Sequence, residues 1–381
     1  MDERVHFISD YLKGKYEVSA LCEVYGISRK TGYKWIKRYK EHGVNGLKEV
    51  SSRPHNSPYR TPVRIKKDIV ELRKRYGWGP KKLLSIMASK HPNRDLPGRS
   101  TVCDILKLEG LIKKRRARRK IPAMQRPFAP IDHPNAVWSA DFKGQFRINN
   151  GRYCYPLTVT DSYSRYLLEC RALTGTGLES AREVFNNLFN KYGIPERIRT
   201  DNGVPFASIS ASGLSQLSLW WVRLGIYPER IDAGKPYQNG RHERMHRDLK
   251  EKTVRPPAAS IKAQQARFDY FCKEYNEVRP HEALNFKTPS SLYKLSNRYM
   301  PKKLLDFQYP DHYEVRHVQH NGMIYWRNSY VYTGYLLAAQ NMGLEEIDSG
   351  IWDVYLGEFL LGRLFDNQMK IDFNRKNIKK M

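Results

Sequence analysis

A run of basic residues followed by prolines divides this chain before any helix or strand is assigned. Residues 113–120 read KKRRARRK, and Pro122, Pro127, Pro130 and Pro134 follow them. Such a run cannot enter a hydrophobic core, and the prolines prevent a long helix from continuing past it. We therefore expect a solvated linker between folded parts, and 381 residues leave room for about two to four domains.

Positive charge is concentrated in the front third of the chain. Of the net charge of +28, residues 1–130 contribute +20, residues 131–300 contribute +8 and residues 301–381 contribute nothing. A field of this size predicts a polyanionic partner, and nucleic acid fits better than a membrane because no apolar run is long enough to span a bilayer. The first residues also lack the apolar segment of a signal peptide, so we expect a cytoplasmic protein.

The cysteines give no sign of a disulfide framework or a zinc module. There are five of them, and no two form a Cys-x-x-Cys pair. This pattern predicts reduced thiols that behave as small buried hydrophobes. They are Cys22, Cys103, Cys154, Cys170 and Cys272.

The first 52 residues have the pattern of a helix-turn-helix. One helix runs to Tyr25, Gly26 makes the turn, and Ser28 can cap the second helix. Apolar residues spaced for contact between the helices are Ala20, Leu21, Val24, Ile27, Trp35, Ile36 and Tyr39. The outer face of the second helix is then left to Arg29, Lys30, Thr31 and Lys34, which we expect to contact DNA in the major groove. An ordinary basic helical hairpin is the alternative.

A second unit of the same kind is predicted over residues 61–113. Helices are expected over 63–76, from Pro80 to Met87, and from Arg99 to about Glu109, the last with Val102, Ile105 and Leu106 facing inward. We assign this unit to a winged-type helix-turn-helix that contacts DNA through Arg99, Ser100 and Thr101. The linker, residues 114–135, adds candidate phosphate contacts at Lys114, Arg115, Arg116, Arg118 and Arg119.

Residues 136 to about 260 change to a mixed α/β pattern. Alternating strands are predicted over 136–148, 152–160 and 166–173. A helix follows and ends at Gly193, and a short strand at 197–200 runs into Asp201. This order of elements predicts a mixed, five-stranded sheet with helices on its faces. From residue 299 to 381, short alternating runs separated by turn residues such as Gly343 predict a small all-β domain, which we interpret as a barrel with an accessory or assembly role.

Three carboxylates occupy positions suited to metal-dependent chemistry. Asp141 lies in the first strand and Asp201 ends the fourth, so neighbouring strands would bring them to one rim, and a helix can carry Glu243 over them. Carboxylates are the ligands that Mg²⁺ or Mn²⁺ prefers, and two such ions can drive an in-line phosphodiester displacement. Arg247 and Lys250 follow Glu243 on the same helix face and could hold the DNA backbone.

Five ordered blocks within residues 136–298 resemble the catalytic core shared by retroviral-type integrases and DDE transposases of bacterial insertion sequences. The blocks are VWSADFKG, TVTDSYSR, IRTDNGVPF, KPYQNGRHERMHRDLK and YNEVRPHEAL. The resemblance implies an RNase H-like fold and a catalytic, metal-binding triad of Asp141, Asp201 and Glu243, with Asp161 as a structural acid. It also implies about two metal ions per site and a bacterial protein associated with the nucleoid.

The chain departs from this family in two places. Asp201 and Glu243 are separated by 41 residues, more than is usual, with the expansion at 208–220. The His-His-Cys-Cys zinc module of retroviral integrases is missing, so recognition of DNA ends would depend on the helix-turn-helix units.

A second motif overlaps the third acid. Residues 242–246 read HERMH and satisfy H-E-x-x-H, the zinc pattern of metalloproteases, in which Glu243 would be the general base. The helix carries four basic residues rather than a peptide groove, and a third ligand would have to come from Glu277, His281 or Glu282. We favour the integrase interpretation.

The sequence thus predicts a DNA transposase that binds the terminal inverted repeats of its element, cleaves to expose 3′-OH ends and joins them to target DNA. Because two ends are joined together, we expect a homo-oligomer, dimer or larger, on double-stranded DNA, with no membrane partner. The alternative is a DNA-binding regulator derived from a transposase, with an inactive core. A ribonuclease H would use the same acids but has little use for two DNA-reading units.

Overall fold

The computed structural model describes residues 2–49, 60–112, 128–208, 210–232, 238, 240–304, 306–373 and 379–380. The basic run at 113–120, with its five candidate phosphate contacts, lies outside the described residues. The chain divides into two compact units, residues 1–63 and residues 64–381. Within the described residues, no helix is long and apolar enough to cross a membrane.

The first unit is a three-helix bundle. The Ser28 hydroxyl caps the third helix by accepting a hydrogen bond from Thr31 N, as predicted. Leu21 and Ile36 are buried as expected, whereas Val24, at the last position of the second helix, is 79% exposed and is not a core residue. The helices are α1 (Asp2–Leu12), α2 (Val18–Val24) and α3 (Arg29–His42), followed by a 3₁₀ turn at Gly43–Leu47.

The second unit begins with three further helices. They are α4 (Val63–Tyr76), α5 (Pro80–Lys90) and α6 (Arg99–Leu108). Val102, Ile105 and Leu106 point into a core shared with α4 and α5, as their spacing predicts. Residues 60–112 contain no strand, so the described part of the predicted winged-type helix-turn-helix has no wing.

A mixed sheet forms the centre of the second unit. Its strands pair in the order β4-β3-β1-β5-β6, and β2 adds two residues beside β3. β1 is antiparallel to β3 and parallel to β5, so the predicted mixed sheet of five strands is confirmed, with β2 as a sixth, short strand. The strands are β1 (Val137–Phe142), β2 (Phe146–Arg147), β3 (Tyr153–Asp161), β4 (Leu167–Leu173), β5 (Arg197–Thr200) and β6 (Tyr227–Arg230).

Helices cover both faces of this sheet. α7 and α8 pack on one hydrophobic cluster with Trp138 and Ile198, and α9 and α10 pack on another with Cys170. α7 ends at Gly193, whose φ of 78° suits glycine, as predicted. The helices are α7 (Leu178–Tyr192), α8 (Gln216–Arg223), α9 (Gly240–Leu249) and α10 (Ile261–Lys273); π-helical turns at Lys250–Val254 and Glu274–Val278 follow α9 and α10.

The C-terminal part is all-β, as predicted. Its sheet is antiparallel in the order β13-β12-β11-β10-β7, with β14 beside β12, and the β8–β9 hairpin lies against β7 and β13. This layout is barrel-like, although the hydrogen-bonded order stops at β13 and β7. The strands are β7 (Glu314–His317), β8 (Met323–Trp326), β9 (Ser329–Tyr332), β10 (Asn341–Asp348), β11 (Ile351–Leu356), β12 (Phe359–Phe365), β13 (Lys370–Phe373) and β14 (Lys379–Lys380).

The C-terminal sheet shares its hydrophobic core with the central domain. Leu214, Val222 and Tyr227 come from the segment around α8 but belong to the same buried cluster as Val318. Tyr227 and Phe359 meet with ring centroids 5.4 Å apart. The expanded segment between Asp201 and Glu243 is therefore used to dock the C-terminal sheet.

All five cysteines are free, as expected. Cys22, Cys154 and Cys170 are buried, while Cys103 and Cys272 are half-buried.

Candidate functional site

The first two acids leave the sheet at one edge. β1 and β5 are parallel neighbours, with Ser139 opposite Arg199. Asp141 and Asp201 each stand two residues further along, so the parallel register carries both toward the same rim. The condition set by the sequence, that the first and fourth strands be neighbours, is met; the fourth predicted strand is β5.

The Asp141 carboxyl is crowded by negative charge. Burial is the main reason that its pKa rises to about 7, and the charges of Asp201 and Glu243 raise it further. Lys143 opposes this shift. Asp201 and Glu243 therefore both lie within electrostatic range of Asp141.

The turn after β5 holds the Asp201 carboxylate close to the backbone. Gly203 N donates a hydrogen bond to Asp201 Oδ1 at 3.0 Å. A Cβ atom on Gly203 would lie 3.2 Å and 3.3 Å from the two carboxylate oxygens. The turn therefore needs glycine for close approach.

α9 presents Glu243 to solvent and two histidines to the sheet. His242 and His246 are 1% and 7% exposed, one turn apart, whereas Glu243 is exposed in the first turn of the helix. Their spacing of four residues brings both rings to the same helix face. Their ring centroids lie 4.6 Å apart.

Both histidines converge on one hydroxyl of β3. Thr158 Oγ1 lies 2.6 Å from His242 Nε2 and 2.6 Å from His246 Nε2, and it donates to the Asp141 carbonyl at 3.1 Å. Thr160 Oγ1 lies 3.1 Å from His242 Nδ1. This network fixes α9 against β3 directly beside Asp141.

Burial keeps both rings neutral. It lowers the pKa of His242 to about 3 and brings the pKa of His246 well below its usual range. For His246, the neighbouring His242 and Lys143 lower the pKa further. A neutral imidazole is a good metal ligand or hydrogen-bond partner.

Asp141, His242 and His246 offer ligand atoms within 4.8 Å of one another. Among the described residues this group does not include Glu277, His281 or Glu282, the third ligands that a zinc protease would have to recruit. Both Nε2 atoms are engaged by Thr158, which favours the integrase interpretation of α9 over the protease one.

The acids suit a divalent metal by their chemistry. All three are oxygen donors, which Mg²⁺ and Mn²⁺ prefer. The pKa of Asp141 is raised first by burial and then by the charge of Asp201, and a bound cation would favour the ionised carboxyl. Asp161, by contrast, is fully buried and accepts hydrogen bonds from Asn135 N, Ser164 N and the Ser164 hydroxyl. It holds a turn together and lies outside this group.

The predicted DNA contacts are mostly exposed. Arg29, Lys30 and Lys34 face solvent on α3, while Thr31 is half-buried and bonded to Ser28. Arg99, Ser100 and Thr101 are exposed at the start of α6, and Arg247 is exposed on α9. Lys250 is exposed at the start of the π-helical turn. Burial lowers the pKa of Lys143, and the nearby charge of Lys250 lowers it further.

Sequence reasoning missed two residues that contact this site. Lys143 stands two positions after Asp141, and the alternation of a strand could have indicated it. Thr158 lies opposite Asp141 in the β1–β3 pairing, and only the register reveals it.

Family models match residues 3–106 and 131–289 of the chain. An "Integrase core domain" matches residues 131–236, and a second model of the same description matches residues 224–289. A "Helix-turn-helix domain" matches residues 3–55 and a "Homeodomain-like domain" matches residues 31–106. The predicted integrase core and helix-turn-helix organisation is confirmed.

The curated relatives include insertion-element proteins. One, the insertion element IS407 uncharacterized 31.7 kDa protein of Burkholderia multivorans, is 30% identical over 181 residues, which cover 47% of this chain and 62% of the relative. The IS476 uncharacterized 39.2 kDa protein of Xanthomonas euvesicatoria is 26% identical, over 45% of this chain and 47% of the relative. The chain thus spans less than two thirds of the length of either relative.

Solved structures include a chain of the simian T-cell lymphotropic virus intasome. The two chains are 15% identical, and the match covers 82% of this chain and 98% of the viral chain with a TM-score of 0.36.

Proposed function

Since this chain carries an integrase core domain preceded by helix-turn-helix domains, we propose that it is a DNA transposase of an insertion element. It binds the terminal inverted repeats of that element, cuts the DNA to expose 3′-OH ends, and joins those ends to target DNA. The proposed catalytic and metal-binding residues are Asp141, Asp201 and Glu243.

One observation carries the proposal. Within the segments matched to an integrase core, Asp141 and Asp201 stand at the same rim of the parallel strands β1 and β5, and the charges of Asp201 and Glu243 add to burial in raising the pKa of Asp141. A buried carboxyl with two further acids near it is unfavourable for stability, and such an arrangement is typical of sites that hold cations.

The acids would hold Mg²⁺ or Mn²⁺, about two ions per site, which supply activation of the attacking oxygen and stabilisation of the leaving oxygen. Gly203 leaves room for the Asp201 carboxylate and orients it by its N–H. The Thr158–His246 contact fixes the helix that carries Glu243. The charge of Lys143 counters the negative charge around Asp141.

Both steps of the proposed reaction are phosphodiester displacements. In the first, water attacks a phosphorus atom at the end of the element, the P–O3′ bond breaks, and a 3′-OH and a 5′-phosphate remain. In the second, that 3′-OH attacks a target phosphorus, loses its proton and displaces the target's own 3′ oxygen. One site can serve both steps because each needs the same geometry.

DNA recognition falls to the exposed basic helices. The exposed start of α3, with Arg29, Lys30 and Lys34, would enter the major groove, and the start of α6 would add a second contact. Joining two ends requires more than one copy of the chain, so we propose a homo-oligomer on paired ends.

The first test uses labelled duplexes taken from the DNA that flanks the gene. The purified chain is incubated with them and Mg²⁺ or Mn²⁺, beside Asp201→Asn and Glu243→Gln variants, and products are resolved on a denaturing gel. We expect cutting at one position near the repeat, lost in both variants while binding is kept. Cutting by the variants at the wild-type rate would refute the triad.

The alternative, a regulator with an inactive core, predicts a different result. It would bind the repeat without cutting it, and calorimetry with DNA present would show no uptake of Mg²⁺ or Mn²⁺. Metal uptake that is lost in Asp201→Asn would exclude this alternative.

A further inference from the structure

Four cations meet where the α4–α6 helices touch the central domain. We call Lys82 of α5, Arg165 after β3, Arg244 of α9 and Arg279 after α10 the junction cluster. Arg279 and Arg244 both lower the pKa of Lys82, which burial brings to about 8, and Arg244 helps to lower that of Arg165. Lys82 is therefore close enough to Arg244 and Arg279 to be repelled by both, and Arg165 is close enough to be repelled by Arg244.

Few acids balance this charge. Asp248 accepts a hydrogen bond from Arg279 Nη2 at 2.6 Å, and the exposed Glu282 pairs with Lys81. Within the described part of the chain, no salt bridge involves Lys82, Arg165 or Arg244. The cluster therefore carries excess positive charge in a partly buried place.

Several donors of the cluster have no partner. Arg165 Nε, Arg279 Nε and the neighbouring His281 Nε2 are buried and make no hydrogen bond to any described residue. Burial lowers the pKa of His281 to about 3, with Lys82 and Arg279 adding to the effect, so this ring gives no counter-charge and no additional cation. Unpaired buried donors and repelling charges both destabilise the free protein, and an anion bound beside the exposed Arg244 would relieve the repulsion.

The surroundings suit a polyanion rather than a small anion. Two lysines lie beside one aromatic ring: Lys252 Nζ, which pairs with Glu274, lies 5.5 Å from the centre of the Trp78 ring, and Lys82 Nζ lies 6.0 Å from it. Arg244 follows Glu243 directly on α9. A DNA backbone held by Arg244 would therefore lie close to a proposed catalytic acid.

We propose that the junction cluster binds phosphates of the DNA backbone and that DNA bound there clamps the α4–α6 helices onto the central domain. The choice of DNA as the polyanion rests on the proposed function. The contact is sequence-independent, since phosphates carry no base information.

The test measures the salt dependence of DNA binding by the full chain, by fluorescence anisotropy with a short duplex, in EDTA so that no cleavage occurs. The test variant is Lys82→Gln with Arg244→Gln. The matched control is Lys262→Gln with Lys370→Gln, which removes the same charge from exposed lysines of α10 and β13.

Loss of two phosphate contacts should reduce the slope of log affinity against log salt by about 1.8. The affinity gap between wild type and the test variant should therefore be roughly 12-fold larger at about 50 mM than at about 200 mM salt. The control pair should keep the wild-type slope. Equal slopes for the two pairs would overturn the inference and leave the cleavage proposal intact, whereas absence of any duplex binding by the wild type would overturn both.

A second readout does not depend on substitutions. Lysine acylation of the full chain is followed by mass spectrometry with and without the duplex. Bound DNA should reduce acylation of Lys82 several-fold while that of Lys370 stays the same. Unchanged acylation of Lys82 in a sample that binds the duplex would overturn the inference.

Discussion

The Nδ1 atom of His246 lies 3.7 Å from Asp141 Oδ2, while the Nε2 atom of the same ring lies 2.6 Å from the Thr158 hydroxyl. One arrangement of protons satisfies every contact in this group. Thr158 O–H donates to the Asp141 carbonyl, and its two lone pairs accept N–H groups from His242 and His246. The unprotonated nitrogen of His246 then faces the carboxyl of Asp141.

Thr158→Val tests this arrangement. Valine keeps the shape but leaves two buried N–H groups unpaired, each of which costs about 1–3 kcal/mol. We expect the free energy of unfolding to fall by at least about 2 kcal/mol in urea denaturation. Thr158→Ser, which keeps the hydroxyl, is the control and should lose much less. Equal losses in the two variants would show that the hydroxyl does not organise the histidines.

The raised pKa of Asp141 gives metal binding a pH dependence. A metal ion binds the deprotonated carboxylate, so a proton competes with it below a pKa of about 7. We expect Mn²⁺ affinity to fall by about tenfold per pH unit below that point, measured by calorimetry. Affinity that does not change between about pH 6 and 8 would contradict the raised pKa.

The raised pKa of Asp141 affects the stability of the metal-free protein in the opposite direction: stability falls as pH rises, whereas metal affinity rises. Because the folded state raises the pKa of Asp141 from 3.8 to about 7, folding favours the protonated form, and this stabilisation is lost as pH rises through about 7. Asp141→Asn should remove that part of the pH dependence of the urea midpoint. An unchanged pH profile in the variant would assign the effect to other groups.

Gly203→Ala should impair cleavage more than stability. The added Cβ would lie 3.2 Å from a carboxylate oxygen of Asp201 and push that side chain away from its hydrogen bond. We expect the cleavage rate to fall by about tenfold or more, since small misplacements at a reacting centre have large effects. Gly175→Ala is the control, because a Cβ there meets nothing within 4 Å. Similar cleavage rates for both variants would show that Gly203 does not position the Asp201 carboxylate.

Removing Lys82 should stabilise the free protein. Its pKa is lowered to about 8 by burial first and by Arg279 and Arg244, against the opposing effect of Asp248 and Glu282. The unfolded chain binds this proton more tightly, so the lysine disfavours folding below about pH 8, and the effect fades as pH rises toward 10.5.

Lys82→Met should therefore raise the urea midpoint near neutral pH, with a smaller gain at high pH. Lys81→Met, which loses a pair with Glu282, should not raise it. A lower midpoint for Lys82→Met would mean that the lysine is well accommodated.

Much of the domain order could be predicted from the sequence because it depends on local patterns. Ser28 as a cap, Gly193 as a helix end and the alternation before Asp141 each depend on neighbours in the chain. Val24 shows the limit: its spacing fits a buried position, but α2 ends there and leaves it exposed. Gly343 likewise suggests a turn, yet it lies inside β10.

The candidate site divides in the same way. Asp141, Asp201 and Glu243 stand at ends of elements that the pattern locates. The contacts of Thr158 with two histidines 84 and 88 residues away depend on strand register and on how α9 lies over the sheet. So does the junction cluster, whose members come from four separate segments. Such long-range contacts leave no periodic signal in a single sequence.

The position of Leu214 has a practical consequence for dissecting this protein. It belongs by sequence to the segment between two of the proposed catalytic acids, yet it is fully buried among side chains of the C-terminal sheet. Ending the chain at residue 298 would expose the side chains of Leu214, Val222 and Tyr227 to solvent. The catalytic and C-terminal parts are consecutive in the sequence but share one hydrophobic core. A truncated core would therefore expose an apolar surface and aggregate under conditions in which the longer chain does not.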